Sequence, residues 1–384
     1  MAALWLSGAA AAQECGGEFA RFKSDLAREG RARGFDAATV DRFVAELDRD
    51  PSVISADRAQ GVFQLDFLTF SRRLISEYRL VKGREKAARW SDLFDAIERD
   101  LGVPRGVLLA FWAFETDYGA VQGDFNTVDA LATLAHDCRR PDLFRPQLYA
   151  ALELVARGDL DPARTTGAWA GEIGQVQMLP RDILEHGTDA DGDGHVRLKS
   201  SVPDALVSGA RMLRAMGWRP NEPWLHEVVL PEGGLDWSAT GLTTTRPVAE
   251  WAASGVRGRN GPLGPGDLSA SILLPMGRGG PAFMAYPNYR VLFEWNRSLV
   301  YVTTAAYFAA RMEGAPVYDA RDPAPGLSGA RMTELQRRLV ARGHDVGGVD
   351  GILGEKTRAA VREVQSRLGL PADGWPTPAR LDRL

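Results

Sequence analysis

Residues 104–119 have the sequence PRGVLLAFWAFETDYG. Pro104 suits the first turn of a helix and Gly119 suits a C-terminal cap, so the segment predicts one helix. Four residues at spacing i, i+3, i+4 and i+7 share one face of this helix: Leu108, Phe111, Trp112 and Glu115. The pattern therefore places a carboxyl group on an apolar stripe.

Glu115 has two interpretations at this stage. A carboxyl group held among Trp and Phe side chains is expected to have a raised pKa, because desolvation disfavours its charged form. Such a group keeps its proton at neutral pH and can act as a general acid. The alternative is a structural carboxylate that pairs with an arginine or faces water at the helix end. The spacing alone leaves both open.

Helical periodicity continues on both sides of this segment. Apolar residues recur at three- and four-residue spacing from Phe19 to about Met216 and again from Asn296 to Met312. Between them, β-prone pieces such as 227–230 and 271–274 alternate with Gly and Pro. The sequence predicts a mainly α protein whose helical domain, residues 13–313, carries a small strand-rich insertion at about 224–275.

The C-terminal part differs in composition. Residues 314–329 are rich in Pro and Gly and predict a linker, while residues 330–384 have the periodicity of a small three-helix module. A core of that size does not readily house an active site, so binding is the expected role of the module.

Composition narrows the class of protein. The chain has 384 residues and a formal net charge of -4, and it has no stretch dense in Lys and Arg, which argues against nucleic-acid binding. The five histidines lack zinc-ligand spacing, and neither a G-x-S-x-G element nor a phosphate-binding glycine loop occurs. Zinc-hydrolase, serine-hydrolase and nucleotide chemistry are therefore not expected.

The N-terminus indicates export. Residues 1–12 are apolar and too short to span a bilayer, and Ala10 and Ala12 suit signal-peptidase cleavage before Gln13, although the usual positive charges are missing. A frayed apolar N-terminus is the alternative. The two cysteines, Cys15 and Cys138, form either a disulfide or two separate thiols. We predict no transmembrane span.

Several spaced motifs resemble one enzyme family. Residues 115–119, ETDYG, are similar to the E-[ST]-x-[YFW]-G motif of lysozyme-like lytic transglycosylases, and residues 169–180, WAGEIGQVQMLP, to their W-A-G-A-M-G-x-x-Q-F-M-P block. Residues 189–194, the pair 288–289 and residues 295–301 follow in the expected order. Together they resemble the lytic murein transglycosylase B family, glycoside hydrolase family 103, over most of residues 18–313.

The resemblance implies a lysozyme-like catalytic domain and a defined reaction. The β-1,4 bond between N-acetylmuramic acid and N-acetylglucosamine in peptidoglycan is cleaved, with Glu115 as general acid. The same carboxylate then acts as base toward the muramic acid 6-hydroxyl, which closes a 1,6-anhydro ring. Neither a second catalytic carboxylate nor a cofactor is implied, unlike the two-carboxylate glycosidases.

The resemblance also implies the residues that contact the glycan. These are Gln177, Met178, Trp295, Asn296, Tyr301 and Tyr118. Core packing is the alternative for Trp295 and Tyr301, because aromatic residues at helical spacing usually pack. The sequence departs from the motifs at Ala168, where relatives often have Ser, at Glu172, which replaces a small residue, and at Trp295, which replaces a Tyr.

A calcium site is the second feature implied. The candidate ligands match the first half of an EF-hand loop followed by a later Asp: Asp189, Asp191, Asp193, the backbone of His195, and Asp204. Ser200 stands where an EF-hand has its Glu. An Asp and Gly turn cluster without an ion is the alternative.

Residues 335–339, 349–354 and 357–361 resemble the peptidoglycan-binding domain-1 family, with a plain helical appendage as the alternative. We therefore expect a periplasmic, monomeric lytic transglycosylase whose partners are glycan strands and other wall-assembly proteins, and whose location is near the sacculus or outer membrane. A hydrolytic muramidase on the same scaffold and a catalytically silent wall-binding scaffold are the rival hypotheses.

Overall fold

The protein is mainly helical, as predicted. The structure, a computed structural model, describes residues 16–59 and 65–380. The helices in these residues are α1 (Phe19–Ala32), α2 (Ala37–Ala45), α3 (Pro51–Arg58), α4 (Phe67–Leu74), α5 (Glu77–Arg89), α6 (Ser91–Leu101), α7 (Arg105–Thr116), α8 (Thr127–His136), α9 (Pro141–Arg157), α10 (Pro180–His186), α11 (Val202–Ala215), α12 (Val248–Ala253), α13 (Pro287–Trp295), α14 (Leu299–Met312), α15 (Gly329–Ala341) and α16 (Glu355–Arg367). None of them is both long and apolar enough to cross a bilayer.

Strands are few and short. In the described part of the chain they are β1 (Phe125–Asn126), β2 (Thr166–Gly167), β3 (Leu225–Val229), β4 (Arg246–Pro247), β5 (Arg257–Gly258), β6 (Ser269–Leu273) and β7 (Phe283–Ala285). The chain divides into two compact units, of which the first holds residues up to 59 and 122–201 and the second holds the remainder. The proposed signal segment, residues 1–12, lies outside the described residues.

The first unit is a helical layer with one small ribbon. Helices α8 and α9 pack along each other, and β1 pairs with β2 in antiparallel fashion, with Phe125 opposite Gly167. The side chain of Asn126 accepts hydrogen bonds from the backbone N–H groups of Val128 and Asp129 in the first turn of α8 and so caps that helix. Cys138 is disulfide-bonded, and Cys15, the only other cysteine, lies outside the described residues.

The second unit is built around α7 and α14. These two helices pack along each other, and nine of the twelve residues of α7 are buried, so its apolar sequence is explained by contacts on several sides. Pro104 precedes the first helical residue and Thr116 is the last, within three residues of the predicted ends. Asp117, Tyr118 and Gly119 all have positive φ, which ends the helix sharply.

The strand-rich insertion forms a five-stranded antiparallel sheet in the order β4-β6-β7-β3-β5. The predicted strands at 227–230 and 271–274 are present, but each begins two residues earlier. The sheet also continues past residue 275, because β7 pairs with both β3 and β6. Trp251 and Tyr286, both fully buried, fill the core beneath it.

The C-terminal module contains α15, α16 and a short 3-10 turn at Pro378–Arg380 around a core that includes Leu335, Leu339 and Val361. It packs against the sheet insertion through Arg358, whose guanidinium donates hydrogen bonds to the carbonyls of Leu274 and Pro275 at 3.2 and 2.7 Å. The ring of Trp375 lies over Gly277, where an added Cβ would stand 2.5 Å from the Trp375 Cβ.

Residues 315–328, in the segment predicted as a linker, have no regular secondary structure but are packed. Tyr318 is buried, and its backbone N–H donates to the hydroxyl of Tyr307 at 2.7 Å. The indole N–H of Trp375 donates to the carbonyl of Ala324 at 2.9 Å. The stretch is therefore a fixed connection rather than a free tether.

Candidate active site

Glu115 lies in the last turn of α7 and is half-buried. The hydroxyl of Tyr301, from the first turn of α14, donates a hydrogen bond to Glu115 Oε1 at 2.5 Å. Tyr301 is 7% exposed, and burial together with the adjacent carboxylate raises the pKa of its phenol well above the ordinary value. The phenol therefore keeps its proton and remains a donor to Glu115.

Aromatic rings surround this pair. Phe114 meets Tyr301 edge to face at 6.0 Å between ring centroids and contacts Phe308 at 5.1 Å. These rings hold the Tyr301 hydroxyl against the end of α7 and reduce the access of water to it. Glu115 thus combines partial access to solvent with a fixed hydrogen-bond donor.

The side chain of Tyr118 contacts other residues of the protein in this structure. Its hydroxyl donates to the backbone carbonyl of Arg79 at 2.7 Å, its ring packs edge to face on Trp112, and it is 4% exposed. Arg79 in turn donates from Nε to Asp117 Oδ1 at 3.0 Å. The expectation that Tyr118 contacts the glycan disagrees with this burial, and its contacts fit a residue that positions the turn after α7.

Trp295 and Asn296 follow each other at the end of α13. The indole of Trp295 stacks on Phe111 with 4.3 Å between ring centroids, one helical turn before Glu115. Trp295 and Asn296 are both half-buried, and Asn296 Oδ1 accepts the backbone N–H of Ser298 at 3.0 Å. The second unit therefore brings these two residues, Tyr301 and Glu115 to neighbouring helix ends.

Gln177 and Met178 belong to the first unit. Gln177 has a φ of 53°, and its amide donates to the carbonyl of Gly174 at 2.8 Å, so the side chain is held in a tight turn. Met178 is 1% exposed because its backbone pairs with Ile173 in an antiparallel bridge that turns the side chain into the core. Contact between the Met178 side chain and sugar would therefore require this buried side chain to become accessible, and it stays a prediction.

Glu172, also in the first unit, is a desolvated carboxyl group. Burial raises the pKa of Glu172, and within the described residues its Oε2 atom has no hydrogen-bond partner. The buried hydroxyl of Thr127 also has no partner in the described residues. A Cβ added at Gly167 would stand 3.2 Å from that hydroxyl and 2.0 Å from the backbone carbonyl oxygen of Glu172, so only glycine fits there. The motif position that usually has a small residue is thus occupied by Glu172 in this chain. Ala168, the other departure, donates its backbone N–H to the Glu172 carbonyl at 2.9 Å.

The aspartate loop of the first unit is ordered by its own backbone. Asp189 accepts N–H groups from residues 192, 193 and 194 at 2.7 to 3.1 Å, and these hydrogen bonds lower its pKa. Asp193 accepts the backbone N–H of His195 at 2.9 Å and pairs with Arg197 at 3.3 Å. Asp204 is fully buried in the first turn of α11, in the second unit. The carboxylate-rich loop matches the oxygen preference of Ca²⁺, although Asp193 is shared with an arginine.

The second unit thus combines a helical core, a small sheet and one glutamate beside a tyrosine hydroxyl at a helix end. Residues 18–310 match the family model described as "Transglycosylase SLT domain", and the chain belongs to this family. Residues 328–384 match the model described as "Putative peptidoglycan binding domain". Both families agree with the resemblances found in the sequence motifs.

Individual relatives support the same assignment. The chain is 38% identical to SltB3 from Pseudomonas aeruginosa, whose crystal structure in complex with NAG-anhNAM-pentapeptide matches with a TM-score of 0.87 over 96% of this chain and 99% of that one. It is 25% identical to the Escherichia coli lytic transglycosylase Slt35, solved in complex with calcium, with a TM-score of 0.67 over 78% of this chain and 95% of that one. It is 29% identical to the E. coli membrane-bound lytic murein transglycosylase B over 55% of this chain and 58% of that protein's length.

Proposed function

We propose that this chain is a peptidoglycan lytic transglycosylase. It cleaves the β-1,4 bond between N-acetylmuramic acid and N-acetylglucosamine and leaves 1,6-anhydromuramic acid ends. The observation that carries the proposal is the half-buried Glu115 with the Tyr301 hydroxyl on its Oε1. The family assignment and the muropeptide bound to the SltB3 relative support it.

Glu115 performs both proton transfers. Its protonated carboxyl group gives the proton to the glycosidic oxygen as the C–O bond breaks, and the N-acetyl carbonyl of the substrate relieves the positive charge on the sugar ring. The resulting carboxylate takes the proton of the 6-hydroxyl while that oxygen bonds to the anomeric carbon. The proton count closes without water, and the donor hydroxyl of Tyr301 stabilises the carboxylate between the two transfers.

The remaining site residues have assigned roles in the proposal. Gln177, Trp295 and Asn296 contact the glycan, and Tyr118 positions the turn that ends α7. Residues 13–313 form the catalytic domain, residues 314–329 connect it to the next, and residues 330–384 bind the wall. The reaction needs no cofactor.

A structural Ca²⁺ in the aspartate loop is a separate part of the proposal. The candidate ligands are carboxylate oxygens of Asp189, Asp191 and Asp193, the backbone of His195, and Asp204. We further propose that the protein works in the periplasm as a monomer on glycan strands, near the sacculus or outer membrane and alongside other wall-assembly proteins.

Mass spectrometry of the muropeptides released from purified sacculi tests the reaction. Wild-type protein is expected to release products that lack a reducing end, since the anhydro ring replaces it, and Glu115→Gln is expected to release none. Glu232→Gln, at an exposed position, is the matched control and should behave as wild type. Reducing ends in the products would instead establish a hydrolytic muramidase, and absence of any product from the wild type would favour a silent wall-binding scaffold.

A further inference from the structure

A cavity lies at the N-terminal end of α7, whereas Glu115 lies in the last turn of that helix. Its volume is about 920 Å³, within the range of small-molecule sites, and neither Glu115 nor Tyr301 is among its lining residues. Its walls come from the second unit: the end of α6 with the residues that lead into α7, residues 221–227, the loop 258–264, Phe283 of β7, and the end of α14 with residues 314–316. We call it the α7 N-terminal cavity.

One wall of this cavity is aromatic and fixed. Trp224 is half-buried, and its indole N–H donates to the carbonyl of Ala306 at 2.9 Å, which sets the orientation of the ring. Phe283 and Tyr307 are buried beside it. The loop 258–264 is held in place because the N–H of Gly264 donates to the hydroxyl of Tyr286 at 3.0 Å. The cavity is therefore preformed.

The charge of the lining has one sign. No lysine or arginine lines the cavity, whereas four of the lining residues are carboxylates. These are Glu98, Glu222, Glu227 and Glu313. Three of them form ion pairs with arginines that are not lining residues: Glu98 with Arg105 at 2.8 Å, Glu227 with Arg259 at 2.8 Å, and Glu222 with Arg219 at the longer distance of 3.6 Å. The lining thus retains a negative excess from Glu313 and from the weakly paired Glu222.

Glu313 and Glu222 carry that excess. Glu313 is exposed, accepts the backbone N–H of Gly106 at 2.8 Å, and forms no ion pair in the described part of the chain. Glu222 approaches Arg219 at 3.6 Å, beyond hydrogen-bond distance, and keeps 27% of its side chain exposed. Carboxylates in a cleft of one sign raise the local concentration of cations and repel anions.

We propose that the α7 N-terminal cavity binds an amino-sugar chain that carries free ammonium groups. An aromatic face beside carboxylate acceptors suits a sugar ring, which presents C–H bonds on one face and N–H or O–H donors at its edge. An ammonium group on that sugar is attracted both to the carboxylates and to the Trp224 ring. A ligand with carboxylates of its own is repelled. The choice of a sugar ring rests on the proposed function, whereas the preference for a cation rests on the lining.

The test uses full-length Glu115→Gln protein and two β-1,4 trisaccharides that differ only in acetylation. Titration calorimetry is expected to give glucosamine trisaccharide a Kd at least about tenfold lower than that of N-acetylglucosamine trisaccharide, and the advantage should shrink as salt is added. The further changes Glu222→Gln and Glu313→Gln, made together, should raise the Kd for the cationic sugar about tenfold. The Glu313→Gln change keeps an oxygen for the Gly106 N–H, and Glu232→Gln controls for the change in net charge.

Trp224→Phe keeps an aromatic wall but loses the indole hydrogen bond and should weaken the same binding. Trp237→Phe, at a half-buried tryptophan that does not line the cavity, should leave it unchanged. Equal affinity for the two trisaccharides, or binding that the paired change at Glu222 and Glu313 does not weaken, overturns the proposal. The sacculus assay separates the two proposals: Trp224→Phe in the otherwise wild-type chain is expected to release anhydro products at the normal rate. Failure of the cavity to bind would leave the assignment of Glu115 intact.

Discussion

Glu115 and Glu172 are both glutamates in family motifs, and both are half-buried, but their surroundings differ. Glu115, at the end of α7, is half-buried and accepts a hydrogen bond from Tyr301. Glu172, in the first unit, has one oxygen without a partner in the described part of the chain, and burial raises its pKa. An apolar site alone keeps a carboxyl group neutral. A fixed donor and access to substrate are what allow it to give up a proton and take it back.

The largest expected difference between the two is in turnover. Glu115→Gln removes the proton donor and is expected to lower sacculus cleavage by about 10²- to 10⁴-fold, the usual contribution of a general acid. Glu172→Gln should retain the wild-type rate within about threefold, because it removes no proton that the reaction uses. Rates of muropeptide release from equal amounts of folded protein measure both. A comparable loss in both variants would indicate a two-carboxylate mechanism and would break the contrast.

The second effect concerns the donor on Glu115. Tyr301→Phe removes the hydroxyl while keeping the ring, and turnover is expected to fall about tenfold, the value of one hydrogen bond to a charged group. The ionised carboxylate loses a stabilising contact, so the protonated form persists to higher pH and the alkaline limb of the pH-rate profile should move upward. Tyr307→Phe, a buried tyrosine elsewhere on α14, is the matched control. An unshifted profile would show that the contact does not tune the acid.

The smallest effect is on stability. The pKa of Glu172 is raised above its ordinary value of 4.5, so its folded state holds the proton more tightly than the unfolded state, and wild-type stability falls as pH rises above about 4.5. Glu172→Gln cannot ionise, and its unfolding free energy should therefore decrease less than that of the wild type between about pH 4 and about pH 7, by about 1 to 3 kcal/mol. Urea unfolding at the two pH values measures this. Parallel pH dependences would mean that Glu172 is not desolvated.

Most of the fold could be predicted from the sequence because the signals for helix ends and core positions are local. The ends of α7 follow from Pro104 and from the turn that includes Gly119, and the apolar spacing of Leu335 and Leu339 marks the core of the terminal module. The strands predicted at 227–230 and 271–274 exist, but each begins two residues before its predicted start. A shift of two residues leaves the alternation of side chains between the two faces unchanged, so only pairing with β7 decides where the strands begin.

The site was less predictable because its contacts span long stretches of chain. Motif order placed Glu115 and Tyr301 in one groove, but the hydrogen bond between them joins residues 186 positions apart. Met178 shares its motif with Gln177, yet the bridge to Ile173 buries it, and no periodicity signals such a bridge. The burial of Tyr118 depends on the carbonyl of Arg79, a partner that no side-chain pattern indicates.

The contact between Gly277 and Trp375 makes the sheet insertion and the C-terminal module depend on each other's sequence. No other residue fits under that ring without moving it, and Arg358 reaches only carbonyls that this particular turn presents. If the terminal module were exchanged for a homologous copy, a different side chain would face Gly277 in place of Trp375. Exchange of one part without the other is therefore expected to disrupt this contact.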